Sequence, residues 1–291
     1  MPAKLSWDDL PGAVRLSVER HADPISVVER VVVGQSSDIT CVLHLGDSRR
    51  VFLKGVRGRR PAMRWLRNET AAARHVVGIA PEVLFSEDVA VDGDDWLVVG
   101  FEHVSGRPAD LSPGSPDLDP VAQVVERIAE VRAPDLRPLT MRWPETHWWR
   151  DLAVAQPEAV HGLDPARLDA LSTELPALVD GDRLVHTDLH GDQFLLCGPS
   201  ARVIDWGMPG RGAAWVDTAY LIVRLIERGH FPAEAESWAR SRGTWSAAAE
   251  AALTPWAVYL AGMWTSWVRQ GRCTATRAAL AQRYMRWRLG T

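Results

Sequence analysis

Between two apolar runs, residues 184–196 read LVHTDLHGDQFLL, and a second run, ARVIDWG at residues 201–207, ends on a further acid. His186, Asp188, His190 and Asp192 fall within seven positions, with the amide of Gln193 beside them. Three kinds of chemistry compete for such a cluster. Two histidines four residues apart can ligate zinc from a helix, but the flanking runs read as strands around a turn. HExxH is absent, and no third nitrogen or sulfur ligand lies nearby in sequence. A structural loop, whose acids and histidines bond only to backbone groups or cap neighbouring elements, is the default for any one of these residues alone. Phosphoryl transfer accounts for the set. Asp188 leaves one strand candidate and Asp205 leaves a neighbouring one seventeen residues later, with Gln193 between. That reaction needs one carboxylate to orient or deprotonate an attacking hydroxyl. It also needs a second carboxylate and an amide oxygen to hold Mg²⁺ against nucleotide phosphates.

The elements that must position these residues are legible from periodicity. Residues 8–20 have helical spacing; VERVVVG, DITCVLHLG and RRVFLKGV then give three strand candidates joined by polar turns. Residues 62–77 are rich in helix formers and end at Gly78, a C′ candidate. APEVLFSE and WLVVGFEHV come next as strands around the turn VDGDD. At residues 105–120 the composition shifts to Pro, Gly, Ser and Asp, as in a connector, and most of the chain beyond residue 120 reads as helix. Helical stripes occupy 121–131, 164–179, 213–228, 246–270 and 274–289, with Thr254-Pro255 a candidate for a fresh helix start. The expected architecture is α+β: a small antiparallel-sheet lobe over residues 1–103 and a larger, mainly helical lobe over residues 104–291.

Here the sequence resembles the aminoglycoside phosphotransferase and choline kinase-like family, on HTDLHGDQ, then VIDWG, then Asp217 in GAAWVD. The family signature runs roughly H-G-D-x-H-x-x-N, then I-D-W or I-D-F, then an acid opening a helix. The resemblance implies a two-lobed, protein-kinase-like fold. By position it implies Asp188 as catalytic base, Asp205 and Gln193 as Mg²⁺ ligands, His186 bracing the loop, and Asp217 bonding back to the loop backbone. His190 stays open between loop support and the edge of the active site. Two positions depart from the family. Thr187 stands where a glycine is usual, so the loop must accept a β-branched residue. Gln193 stands where an asparagine is usual, which moves the amide oxygen by about one C–C bond, ~1.5 Å.

The same resemblance predicts a lysine on the third strand, fixed by a glutamate on the next helix. Lys54 lies in RVFLKGV, and Glu69 is the acid of residues 62–77. Composition sharpens the choice, because of 33 basic residues only Lys4 and Lys54 are lysines. Where arginine otherwise serves, a lysine wants a compact ammonium. The turn GQSSD, with Gly34, Ser36 and Ser37, offers small residues whose N–H groups could meet phosphate. No Walker sequence occurs. Phe101, Glu102 and His103, at the end of the last strand, would form the hinge whose backbone meets the purine edge.

Net charge is −4 and pI about 6.1, which argues against a nucleic-acid partner. The exception, residues 49–67, carries eight positive charges and no acid, and reads first as a solvated face and second as help in holding phosphates. No stretch is long and apolar enough to span a membrane, and the start lacks a signal-peptide core, so a cytoplasmic protein without membrane association is expected. The three cysteines read as isolated, buried thiols. From residue 218 onward ten arginines face four acids, which speaks against a polycationic acceptor. Most tryptophans should be core, with Trp148, Trp149 and Trp215 as candidates for an acceptor wall.

The expected function is Mg²⁺-dependent transfer of the γ-phosphate of ATP or GTP to a hydroxyl of a small molecule, an antibiotic foremost, by a monomer or homodimer. The alternatives are a metabolic kinase of choline, an amino alcohol or a sugar, and a nucleotide-binding pseudokinase module.

Overall fold

Alternating apolar and β-branched residues build an antiparallel sheet in the first third of the chain, because each pleat presents one side chain to either face. A computed structural model describes residues 4–32, 34, 36–144 and 146–291, so Val33 of the first strand candidate and Gln35 of the turn GQSSD lie outside the described residues. The chain forms two compact units: Met1–Pro108 with Asp192–Pro209, and Ala109–Gly191 with Gly210–Thr291.

In the first unit, helix α1 (Gly12–Glu19) precedes strands β1 (Ile25–Arg30), β2 (Ile39–Leu45) and β3 (Arg50–Arg57). Helix α2 (Pro61–Ala72), strands β4 (Val83–Val91) and β5 (Asp94–Glu102), and the short β6 (Arg107–Pro108) come after them. The five long strands pair antiparallel in the order β1-β2-β3-β5-β4. Asp92 and Gly93, at φ 55° and 82°, make the tight β4–β5 connection, as an Asp-Gly pair can. Alternation decides the faces. Leu53, Trp96 and Val98 pack with Val14 and Val18 of α1, whereas Val56, Leu97, Val99 and Phe101 pack with Met63 and Leu66 of α2. Lys54, two residues from Val56, therefore points to the α2 side.

Helix α2 is shorter than its composition predicts. Beyond Ala72 the chain tightens into turns, with His75 N–H bonding Ala72 O at 2.8 Å and Val76 N–H bonding Ala73 O at 3.3 Å. Gly78, at φ 72°, closes these turns instead of capping the helix.

The second unit begins with α3 (Leu118–Glu130), α4 (Trp148–Ala155), α5 (Pro165–Leu178) and β7 (Arg183–Val185). Strands β8 (Phe194–Cys197) and β9 (Ser200–Val203) return to the first unit, where they form a sheet in the order β6-β8-β9. The second unit then resumes with β10 (Gly210–Gly212), α6 (Val216–Glu227), α7 (Pro232–Arg240), α8 (Ala247–Arg269) and α9 (Ala275–Leu289). The strands before Asp188 and Asp205 are thus not neighbours in one sheet, as expected from sequence. β7 pairs with β10, a Gly-Arg-Gly segment too short to announce itself.

Helix α6 is buried on every side from Val216 to Ile226, as in the centre of a helical core. Thr254-Pro255 starts no new helix, for α8 runs through Pro255 from an N-cap at Ser246 whose Oγ accepts from Ala249 N–H at 3.2 Å. The Thr254 hydroxyl instead accepts from Arg288 Nη2 at 2.7 Å. Among the cysteines only Cys41 is buried, and burial pushes its thiol up to about 12; Cys197 and Cys273 are half-buried. Among the described residues, no helix is long and apolar enough to cross a membrane.

Candidate active site

The first unit brings three of the sequence-predicted residues into direct contact. Lys54 Nζ donates to both carboxylate oxygens of Glu69 at 3.0 Å and to Asp205 Oδ1 at 2.5 Å. β3 supplies the lysine, α2 the glutamate, and the turn after β9 the aspartate. Burial alone would pull the ammonium down. The Glu69 and Asp205 carboxylates overcome that pull and hold it above the ordinary lysine value. The Lys54 and Glu69 side chains are 11% exposed, whereas that of Asp205 is 47% exposed. Asp205 sits at φ 64°, a left-handed conformation that a non-glycine residue holds at a cost. Trp206 Nε1 donates to Val203 O at 2.9 Å and locks the same turn.

Gln193 lies just before β8, and its backbone carbonyl accepts from Ile204 N–H at 3.0 Å, one residue before Asp205. Its side-chain Oε1 is buried and has no hydrogen-bond partner. A buried, unpartnered amide oxygen and a carboxylate are oxygen donors of the kind that a hard divalent cation such as Mg²⁺ takes.

Lys4, the chain's other lysine, lies in the same region. Its Nζ donates to Thr40 Oγ1 at 2.7 Å, and Thr40 is the cross-strand partner of Lys54. That ammonium would lie 3.6 Å from a Cβ added to Gly34, which adopts φ 88°. Burial, followed by the charge of Lys54, pushes the Lys4 ammonium down from its ordinary value. Lys4 was visible only as a compositional oddity, since nothing in its local sequence points to a site. Of the predicted turn, Ser36 is exposed and Ser37 half-buried.

The predicted hinge lies at the end of β5. Phe101 is buried with its ring centroid 5.4 Å from Lys54 Nζ, and Glu102 Oε2 accepts from Glu82 N–H at 3.3 Å. His103 Nδ1 is buried and unpartnered; burial, then Arg50, pushes this imidazole below its ordinary value. Arg59, Arg60, Arg64 and Arg67 of the basic stretch instead flank a cavity of about 720 Å³, opposite Asp88 and Asp95. Arg59–Asp95 at 3.1 Å and Arg67–Asp88 at 3.0 Å neutralise much of that charge, which fits a solvated face.

The second unit holds the HTDLH loop. Asp217, on the first turn of α6, accepts from His186 N–H at 2.7 Å and Thr187 N–H at 2.8 Å. Burial pushes its carboxyl above the ordinary aspartate value, against the pull of His186. Thr187 occupies the glycine position at φ 68°, held there by Asp217 and by Arg142 Nη2, which donates to its hydroxyl at 2.7 Å. His186 Nδ1 accepts from Asp188 N–H at 3.3 Å, so the histidine braces the residue just after the strained position. His190 is half-buried in the same loop.

Sequence reasoning missed the surroundings of Asp188. Its Oδ1 accepts from Arg277 Nη2 of α9 at 3.1 Å, and Arg224 Nη2 of α6 lies 3.6 Å away. Both guanidinium groups lie over the Trp264 ring. Among 31 arginines, neither of these two stands out. Trp149 and Trp215, by contrast, are core residues, and Trp148 packs edge-on against Tyr259 at 4.8 Å.

Comparison with known proteins bears on this arrangement. An aminoglycoside phosphotransferase from Alicyclobacillus acidocaldarius subsp. acidocaldarius DSM 446 superposes with a TM-score of 0.60 at 16% identity, over 99% of this chain and 95% of that one. Choline kinase LicA from Streptococcus pneumoniae gives 0.58 at 13% identity, over 96% and 98%. A microcompartment-associated aminopropanol kinase gives 0.57 at 19% identity, over 94% and 93%. At these identities the likeness establishes a protein-kinase-like fold. Comparison with curated proteins gives no match. The model of the phosphotransferase enzyme family matches residues 27–256, a span that contains Lys54, Glu69, the HTDLH loop, Asp205 and Asp217. The chain belongs to the phosphotransferase enzyme family and is a small-molecule kinase.

Proposed function

We propose that the protein is a Mg²⁺-dependent O-phosphotransferase that moves the γ-phosphate of ATP or GTP to a hydroxyl of a small molecule. The observation that carries this reading is the buried Lys54–Glu69 pair with Lys54 also on Asp205. An ammonium so fixed is preorganised for the α- and β-phosphates, and little reorganisation is needed when they arrive. Lys4, bonded to the residue opposite Lys54, adds a second compact cation beside Gly34. The only two lysines of the chain thereby serve the same anion.

Asp205 and the orphaned Gln193 Oε1 would hold Mg²⁺, which when bound neutralises charge on the phosphate oxygens. Backbone groups of Phe101, Glu102 and His103 would meet the base, and the turn at Gly34, Ser36 and Ser37 would cover the phosphates. Asp188 is the base. The acceptor hydroxyl oxygen bonds to the γ-phosphorus as the bond to the β,γ-bridging oxygen breaks, the nucleoside diphosphate leaves, and the hydroxyl proton passes to Asp188. His186 and Asp217 position that loop, with His190 at its edge.

The test is incubation with Mg²⁺-ATP or Mg²⁺-GTP and a library of hydroxylated compounds, read by mass spectrometry. Expected is one acceptor gaining a single phosphoryl group, with no gain in Asp188→Ala. A Mg²⁺-dependent nucleotide thermal shift with no acceptor modified by wild type, and full biological function retained by Asp188→Ala, would instead establish a nucleotide-binding module.

A further inference from the structure

Resting on that reading, we infer that the acceptor carries an oxyanion, a carboxylate or a phosphate, close to the hydroxyl that is phosphorylated, and that Arg277, Arg224 and Trp264 bind it. Two planar guanidinium forks converge on one oxygen: Arg277 Nη2 and Arg224 Nη2 lie 3.1 and 3.6 Å from Asp188 Oδ1. That oxygen does not saturate them. Arg224 Nη2 and Arg277 Nε are buried and have no hydrogen-bond partner, and Arg224 is only 4% exposed. A buried guanidinium N–H without an acceptor is costly, and an incoming oxyanion supplies the acceptor.

The placement of both arginines points the same way. Arg277 is the third residue of α9, whose N-cap Thr274 accepts from its backbone N–H at 3.2 Å. A helix start favours anions and disfavours cations, so an arginine there works against the local field, which Asp188 offsets in part and a bound oxyanion would offset further. Arg224 is fixed by Leu189 O at 3.3 Å and Glu227 Oε2 at 3.1 Å, which leaves Nη2 directed at Asp188. Trp264 backs both groups, with guanidinium carbons 4.4 and 5.7 Å from its ring centroid. Burial and then Arg277 push the Arg224 guanidinium down from its ordinary value, against the pull of Glu227 and Asp188.

These fixed charges select the acceptor. An ammonium-bearing alcohol reaching Asp188 would meet two guanidinium groups of like sign, whereas a hydroxylated carboxylate or phosphate would be drawn to them. Because the guanidinium groups and the base share one oxygen, the reacting hydroxyl lies within a few bonds of the oxyanion. The new phosphate ester forms at that hydroxyl, and the oxyanion itself is unchanged.

The full-length protein with isotope-labelled arginine provides the direct test. The Nε–H resonance of Arg277, assigned by its loss in Arg277→Lys, should move with glycerate or inorganic phosphate and stay still with ethanolamine. Whichever anion moves it decides between carboxylate and phosphate. In turnover, glycerate or glycerol 3-phosphate should be preferred over glycerol and ethanolamine. Arg277→Gln should raise the KM of the anionic acceptor by about tenfold or more, with Arg277→Lys recovering part of the loss. A resonance unmoved by both anions, or transfer only to ammonium-bearing alcohols with KM untouched by Arg277→Gln, would overturn the inference. Absence of any Mg²⁺-nucleotide thermal shift would overturn the phosphotransfer reading instead, while the anion titration still decides the arginine site.

Discussion

At the scale of single residues, the candidate site separates into groups that bind and one that moves a proton, so their variants should differ in kind. Asp188→Asn removes the base but leaves Lys54, Glu69 and Asp205 in contact. It should lower transfer by roughly 10²- to 10⁴-fold while keeping the nucleotide-dependent thermal shift. Lys54→Met should abolish that shift, because Glu69 and Asp205 would then repel both each other and the phosphates. Lys4→Met should raise the KM for nucleotide several-fold and leave the KM for the acceptor unchanged; an unchanged nucleotide KM would reduce Lys4 to an anchor for Thr40. Gln193 offers a sharper test. Its buried, unpartnered Oε1 is a cost to the ligand-free protein. Gln193→Leu should therefore leave the ligand-free Tm unchanged or higher, yet shrink the Mg²⁺-dependent part of the nucleotide shift. A lowered ligand-free Tm would mean that the amide bonds within the fold and is not kept for a metal ion.

At the scale of elements, helix α9 carries Arg277 at its start and is pinned near its end. Glu236 of α7, buried at 1% exposure, accepts from Arg240 Nη2 at 2.7 Å, Tyr284 OH at 2.8 Å and Arg288 Nη1 at 3.0 Å. Removing one partner from such a cluster strands charge in a poor solvent. Glu236→Ala should cost about 3–5 kcal/mol in denaturant unfolding, and the loosened α9 should also weaken acceptor binding through Arg277. The outer rim of the cluster gives it a pH signature. Hydrogen bonds from Arg240 hold Glu250 at about 2, below the ordinary glutamate value. A depressed acid stabilises the fold above its unfolded pKa and loses that contribution as pH falls toward the folded value. Glu250→Gln should therefore flatten the decline in Tm between about pH 4.5 and pH 2. Elements of this kind differ in how far sequence reveals them. The strands and the Lys54–Glu69 pair were legible because period two fixes a face and a lone lysine among arginines asks for a reason. Pro255 misled, since tertiary packing around α8 overrides a local stop signal. β10 was invisible in three residues, and Arg277 was hidden by the abundance of its own kind.

At the scale of the molecule, the candidate machinery is divided between two compact units. The residues proposed to hold nucleotide, Lys4, Lys54, Glu69, Gln193 and Asp205, belong to one; the proposed base and its arginines, Asp188, Arg224 and Arg277, belong to the other. With the roles so divided, each ligand should protect its own unit in hydrogen exchange. Mg²⁺-nucleotide should slow exchange in β3, α2 and the segment after β9, which carry Lys54, Glu69 and Asp205. An anionic acceptor should slow it in the HTDLH loop and at the start of α9. Binding to the native state alone stabilises by RT ln(1 + [L]/Kd), about 2.7 kcal/mol at a hundredfold excess over Kd, so the protection will be measurable even for weak ligands once saturated. Charge fixes the order in which the two ligands help each other. Arg224 also pairs with Glu227, yet Arg224 Nη2 and Arg277 Nε keep no hydrogen-bond acceptor, so an anionic acceptor should bind more tightly at low ionic strength, and salt should weaken it more than it weakens nucleotide already neutralised by Mg²⁺. Measuring both dissociation constants across a salt series decides the point. A steeper salt dependence for nucleotide than for acceptor would place the stronger attraction for anions on the Lys54 side and not around Asp188.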